Sequence, residues 1–283
     1  MSKERQAEIL ASQLAKKLKL EAQFKPSLYK FFDQIGRDVN AVWIATRSIP
    51  SLNSFQPELV SLLRTQYRRI AKVFDYELRT EIRHCKLHLE LKKEDNIDRD
   101  VVDYINEHSV TQAGFILGTT ERDLQGIAAM AITQSYVDNV TIDNAVVGEA
   151  IKLEFDARAA NRVDTIAMTE TQVAAERIKF IESMAIVREL SANENQVAVR
   201  TMIKTWNTIL DEKTRHSHVL ADRQEQKLQS PYTVQGELLM MPGDTSLGAS
   251  LSNIINCRCC SITSFEGDLA PIMSNEHIIY RFD

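Results

Sequence analysis

The chain predicts a mainly α-helical fold, a long helical body followed by a small α+β domain, on three observations. Nine glycines and six prolines in 283 residues are too few for an all-β protein, which turns every few residues, and suit long helices. Apolar residues recur every three or four positions through much of the first 190 residues, the period of one helix face. Near residues 191–198 that period stops, and glycine, proline, β-branched and aromatic residues become frequent. The expected division is a helical body at 1–190, a small domain at 198–265 and a tail at 266–283.

Residues 4–22 are rich in Lys, Glu, Gln and Ala, all good helix formers, and Pro26 is expected to interrupt them. Leu28, Phe31, Phe32, Ile35, Val39, Val42 and Trp43 then mark one face of an amphipathic helix. Ile49 to Ser54 reads as a loop, and Pro57 suits the first turn of a further helix. That helix carries Leu59, Leu62, Leu63, Tyr67, Ile70, Phe74, Leu78, Ile82, Cys85 and Leu89 at the three-to-four spacing, and Arg64, Arg68, Arg69, Lys72, Arg79, Arg83 and Lys86 on its other faces. Asp75, Glu77 and Glu81 lie among these cations, so the flank reads as solvated rather than as a nucleic-acid face. His84 and His88 have metal-compatible i, i+4 spacing but no obvious third ligand, and read as ordinary helix residues.

Lys92 to Asp100 reads as a charged break, and a short helix is expected over Val101 to Glu107. A loop is expected at 109–118, where Gly114 and Gly118 fall, and Thr119-Thr120-Glu121 looks like a helix start. From about Asp143 to Leu190 the chain reads as helix with a break near Arg162.

Charge and composition set the class. The net charge is −5 with a pI of about 5.8, so no global pull toward DNA or anionic lipid is expected. No stretch approaches the ~20 apolar residues of a membrane helix, and no signal-peptide pattern opens the chain. The expectation is a soluble protein made in a reducing cytoplasm, without a membrane partner. There, Cys257, Cys259 and Cys260 are metal-bound or buried rather than disulfide-bonded.

The chemistry-bearing residues lie between Trp206 and Cys259. On a strand, side chains alternate, so Cys257 and Cys259 share a face and Arg258 turns away. His218 is placed to join the two thiols, with His216 as a fourth donor, and the set would suit structural zinc. The other reading makes both cysteines small buried hydrophobes. The deaminase pattern, His-x-Glu with Pro-Cys-x-x-Cys, is missing. Asp211, Arg215, Asp222, Asp244 and Arg258 are expected to fix irregular turns through ion pairs. Thr169-Glu170 is expected to tie the long helix to the small domain. Ser217 beside His218 is a poor nucleophile–base pair, because such pairs come from separate elements.

Four motifs in order carry a resemblance over about residues 155–262. They are Arg162 to Thr171 followed by Ala174-Ala175, Trp206 with Asp211 to His218, Pro242-Gly243-Asp244-Thr245-Ser246, and Asn256-Cys257-Arg258-Cys259. In this order they resemble the phage head morphogenesis family, the Mu-type F minor head proteins. Met168, Lys213, Asp222-Arg223 and Thr245 depart from the family pattern. Some members carry Cys-x-x-Cys where this chain has Arg215 and His218, which would complete a four-ligand zinc site. The resemblance marks Glu170, Trp206, Asp211, Arg215, Asp244, Asn256 and Arg258 as motif residues. It implies a non-enzymatic minor capsid component of a tailed phage or prophage. Such a protein binds the portal protein inside the head and assists assembly, DNA packaging or ejection. Further partners would be major capsid or scaffold protein and packaged DNA. Its location would be the virion, and the host cytoplasm during assembly. The competing class is a small metal-dependent hydrolase or transferase on a helical carrier.

Overall fold

The computed structural model describes residues 3–85, 97–137, 143–192, 202–265, 272–273 and 278–279, with backbone alone at 80–85, 190–192 and the last two pairs. Four long helices come first: α1 (Lys3–Thr46), α2 (Gln56–Cys85), α3 (Arg99–Val137) and α4 (Asn144–Ala192). A 3-10 turn at Leu52–Phe55 precedes α2. The small elements follow: β1 (Met202–Asn207), α5 (His216–Ala221), β2 (Glu225–Lys227), β3 (Tyr232–Val234), β4 (Glu237–Leu239), α6 (Leu251–Ile254) and β5 (Cys260–Phe265). The fold is therefore mainly α with a small α+β region at the C-terminal end. In the region expected to be a tail, β6 (Ile272–Met273) pairs with β7 (Ile278–Ile279). Tyr280 and Phe282 of the tail lie outside the described residues, as do the side chains of Arg83, His84, Lys86 and His88.

The chain folds into two compact units. One comprises residues 21–66 and 103–167 and is built of helix segments. Here three expected interruptions do not occur. Pro26 lies inside α1. A proline within a helix costs about 3 kcal/mol, but Phe24, Leu28, Phe31, Phe32 and Ile35 are buried around it. Each contributes about 1.5–3 kcal/mol on burial, which outweighs the lost bond. The expected loop at 109–118 is helix. Ala113, Ile116, Leu117, Leu124, Ile127 and Ala128 bury one continuous face of α3, against about 1 kcal/mol for each helical glycine. Thr119 caps nothing, since its hydroxyl donates back to the Phe115 carbonyl. The expected break at Arg162 is also helix. Its guanidinium pairs with Asp123 and donates to the Ile116 carbonyl at 3.0 Å, so it fastens α4 to α3.

The other unit comprises residues 1–20, 67–102 and 168–283. Its sheet has the order β2-β1-β5, all antiparallel. The β1–β5 register runs from Met202 opposite Phe265 to Asn207 opposite Cys260. Met202, Lys204 and Trp206 alternate onto one face. Met202 joins Leu78, Ile186, Leu228 and Phe265 in one apolar cluster. Trp206 joins Ala221, Tyr232, Val234, Leu239, Cys257 and Cys259 in another. Lys204 lies between them, its ammonium 4.9 Å from the Tyr232 ring centre and 5.3 Å from that of Phe180, donating to the Met240 carbonyl.

Burial pulls the Lys204 ammonium down to about 8, and Asp244 only partly offsets this. The group is thus costly to bury charged. Its folded value lies below its unfolded value of 10.5, so stability rises with pH between those two values. Lys204→Met should therefore be tolerated at neutral pH, with a gain of roughly 1–2 kcal/mol after the lost contacts are counted. Denaturant unfolding near neutral and near pH 10 checks this: wild type should gain stability across that interval and the variant should not.

Strand β5 is an edge strand, and its outer backbone groups need partners. Helix α4 supplies them from Gln172, Glu176 and Lys179, spaced on one face. Glu176 accepts from the Ser261 N–H at 2.9 Å, Lys179 donates to the Ser261 carbonyl at 2.9 Å, and Gln172 donates to the Cys259 carbonyl at 2.6 Å. Lys17 of α1 reaches Glu176 at 2.6 Å, Gln172 at 2.7 Å and Cys260 Sγ at 3.2 Å. Lys179 also reaches Glu176 at 2.8 Å and Gln13 at 2.7 Å.

Candidate metal centre

The end of this sheet positions three soft donors. β5 begins at Cys260, so Cys257 and Cys259 precede it in extended chain rather than lying within a strand. The alternation still holds: both cysteines are buried while Arg258 is half-exposed. Asn256 turns the chain from α6 into this segment with φ of 56°, a left-handed conformation that Asn tolerates better than most residues. Its N–H donates to Thr169 Oγ1 on α4 at 3.3 Å, which supplies the expected tie from that helix. Glu170 does something else: it accepts from the Tyr67 hydroxyl at 2.5 Å, within the helical part of the unit.

His218, on the short helix α5, meets the two thiols. Its Nδ1 lies 3.3 Å from Cys259 Sγ and 3.7 Å from Cys257 Sγ. All three donor atoms lie within 4.8 Å of one another, and all three residues are buried. Zinc bonds of about 2.0–2.1 Å to nitrogen and 2.3 Å to sulfur, at tetrahedral angles, place N and S about 3.5 Å apart. The observed pair of distances brackets that separation. This group can hold a metal ion. His216 does not belong to it: it opens α5 as an exposed residue.

The imidazole is oriented from behind. Nε2 faces Asn253 Oδ1 at 3.3 Å, and Asn253 Nδ2 donates to Glu237 Oε2 at 2.6 Å. The Glu237 carboxyl is held below its ordinary value by the hydrogen bonds from Asn253 and Ser250, so it is an acceptor only. The Asn253 amide must therefore turn its NH2 to Glu237 and its oxygen to His218. The proton then sits on Nε2 and the lone pair on Nδ1 faces the sulfurs, the tautomer a metal ligand needs. Trp206 packs edge-on against the imidazole with ring centres 5.6 Å apart. Its indole donates to Thr208, whose hydroxyl donates to the His218 carbonyl.

The two thiols behave as a pair. A hydrogen bond from Cys259 holds Cys257 below the ordinary thiol value against the effect of burial. The same bond, with burial, pushes Cys259 well above it. The two thiols are thus pushed in opposite directions, and a bound cation is what would free both sulfurs.

The remaining motif residues build the frame. Arg258 pairs with Asp211 at 2.7 Å, and this bond with that of Thr214 draws the Asp211 carboxyl down to about 2. Arg215 donates to the Ile255 carbonyl. Asp222 accepts from the Thr208 N–H at 2.8 Å. Asp244 closes its turn by accepting from the Met240 and Ser246 N–H groups and the Ser246 hydroxyl. Gly243 has φ of 86°, which favours glycine in this turn, and an added Cβ would lie 3.1 Å from Val173 Cγ2, a tight approach to α4. Ser217 meets Asn253 at 3.5 Å rather than His218.

Sequence reasoning missed the buried Lys17–Glu176–Lys179 network. The available signal was polar spacing: Gln13 and Lys17, and Gln172, Glu176 and Lys179, recur at helical intervals beside the apolar face. It also missed Asn253 and Glu237, which support the histidine from elements with no motif of their own. No family model, curated protein or solved structure matches the chain.

Proposed function

We propose that this chain is a minor capsid, head-morphogenesis protein of a tailed phage or prophage. It would bind the portal ring inside the head and assist assembly, packaging or ejection. One observation supports this reading above the rest. The four motifs of the resemblance, spread from Thr169 to Cys259, converge on one frame through Thr169–Asn256, Val173–Gly243, Asp211–Arg258 and His218 with the two cysteines. A chance match of short motifs gives no reason for such convergence. On this reading the metal is zinc and structural, since a tetrahedral imidazole–thiolate set is zinc's preferred environment. No described helix is long and apolar enough to cross a membrane. Arg68, Arg69 and Lys72 are exposed on α2 without a carboxylate partner among the described residues, which offers packaged DNA a modest contact.

The test is co-expression with the portal protein of the phage or prophage that carries this chain, followed by isolation of prohead-like particles. The chain should co-purify with portal and resist added protease until the particle is opened. Recovery only as free protein, or on the outer surface, would overturn the proposal.

A further inference from the structure

A small pocket borders the cluster, and its charged lining is of one sign. Its lining includes the three donor residues together with Lys213, Arg215 and Arg258. Three cations and no carboxylate line it. Arg215 is committed to the Ile255 carbonyl and Arg258 to Asp211. The Lys213 side chain is exposed. Among the described residues three side chains supply donor atoms, whereas a tetrahedral metal takes four.

We infer that the metal centre has an exchangeable fourth position, facing this pocket, that takes an anionic oxygen donor of the carboxylate or phosphate class. The inference rests on the metal reading above. Its electrostatic basis is direct. Two thiolates and a neutral imidazole cancel the charge of a divalent ion. The anion then sees a neutral centre beside the Lys213 and Arg215 cations, Arg258 being paired with Asp211, in a partly desolvated opening where such attraction is stronger than in bulk water. Arg215, in the pocket lining, adds positive charge beside the open vertex.

The experiment uses the full chain loaded with cobalt(II), whose visible bands report coordination. Thiolate-to-cobalt charge transfer together with intense tetrahedral ligand-field bands establishes the centre. Acetate and inorganic phosphate are then titrated in separate arms. The expected result is a saturable shift of the ligand-field bands with the charge-transfer band retained. Lys213→Gln should bind cobalt equally and weaken the anion's apparent affinity roughly two- to fivefold, as an exposed charge does. A cobalt-loaded protein whose bands ignore both anions overturns the open position and leaves the metal centre standing. A protein that takes no cobalt, or takes it without thiolate charge transfer, overturns the metal reading and this inference together. A response to acetate alone or to phosphate alone supports the position and identifies which oxygen class it accepts.

Discussion

On the proposed zinc reading, Cys257→Ser should abolish metal binding and unfold the module from Met202 to Phe265, leaving much of the helical signal in place. Apparent zinc-binding free energies in small modules reach about 10–16 kcal/mol, as large as the whole stability of a typical domain, about 5–15 kcal/mol. A hydroxyl is a poor substitute for thiolate, and two remaining donors do not hold the ion. The sheet is small, with six residues each in β1 and β5 and three in β2. Amide exchange read on β1 and β5 is the measurement. Fast exchange there in the variant, and in chelated wild type, is expected. If the cysteines serve only as buried small side chains, the same change costs a few kcal/mol, roughly, and protection in β1 and β5 survives.

Glu176→Gln should be the most damaging single change away from the candidate metal centre, at about 3–5 kcal/mol, because it leaves the buried Lys17 and Lys179 ammonium groups without their counter-charge. The carboxylate also accepts from the Ser261 N–H, so the variant loosens the edge of β5 as well. Burial alone would raise the Glu176 carboxyl, but Lys17 and then Lys179 override this and hold it below its ordinary value. A depressed carboxyl contributes stability that is fully present above the unfolded value, about 4.3. That contribution is lost as pH falls through the folded value. Wild type should therefore lose stability steeply below about pH 4, and Glu176→Gln should show a lower but flatter acid limb. Thermal unfolding across that range checks both the size and the slope.

The helical body was legible because period and burial agree over many turns: Leu59, Leu63, Tyr67, Ile70, Phe74 and Leu78 are all buried, as their spacing requires. The local breakers were overweighted. Pro26, Gly114 and Gly118 each carry a cost of a few kcal/mol or less, and a long apolar face overrides such costs whenever it continues on both sides. At the candidate site, alternation placed Cys257 and Cys259 together, and their Cys-x-Cys spacing was sufficient to show it. His216 could not be separated from His218 by spacing alone. Their difference comes from the six-residue helix α5, which turns one inward and the other to solvent. Lys17 and Glu176 lie 159 positions apart, and no local rule links residues at that distance. Ion pairs of this kind become visible only when the helices are packed.

The most direct test of a metal-organised module is elemental analysis of the full chain, purified without chelator, beside Cys257→Ser and His218→Ala. The account predicts close to one zinc per wild-type chain and a loss of zinc in both variants. A wild-type chain free of zinc and of any other transition metal, with β1 and β5 equally protected before and after chelation, would contradict it.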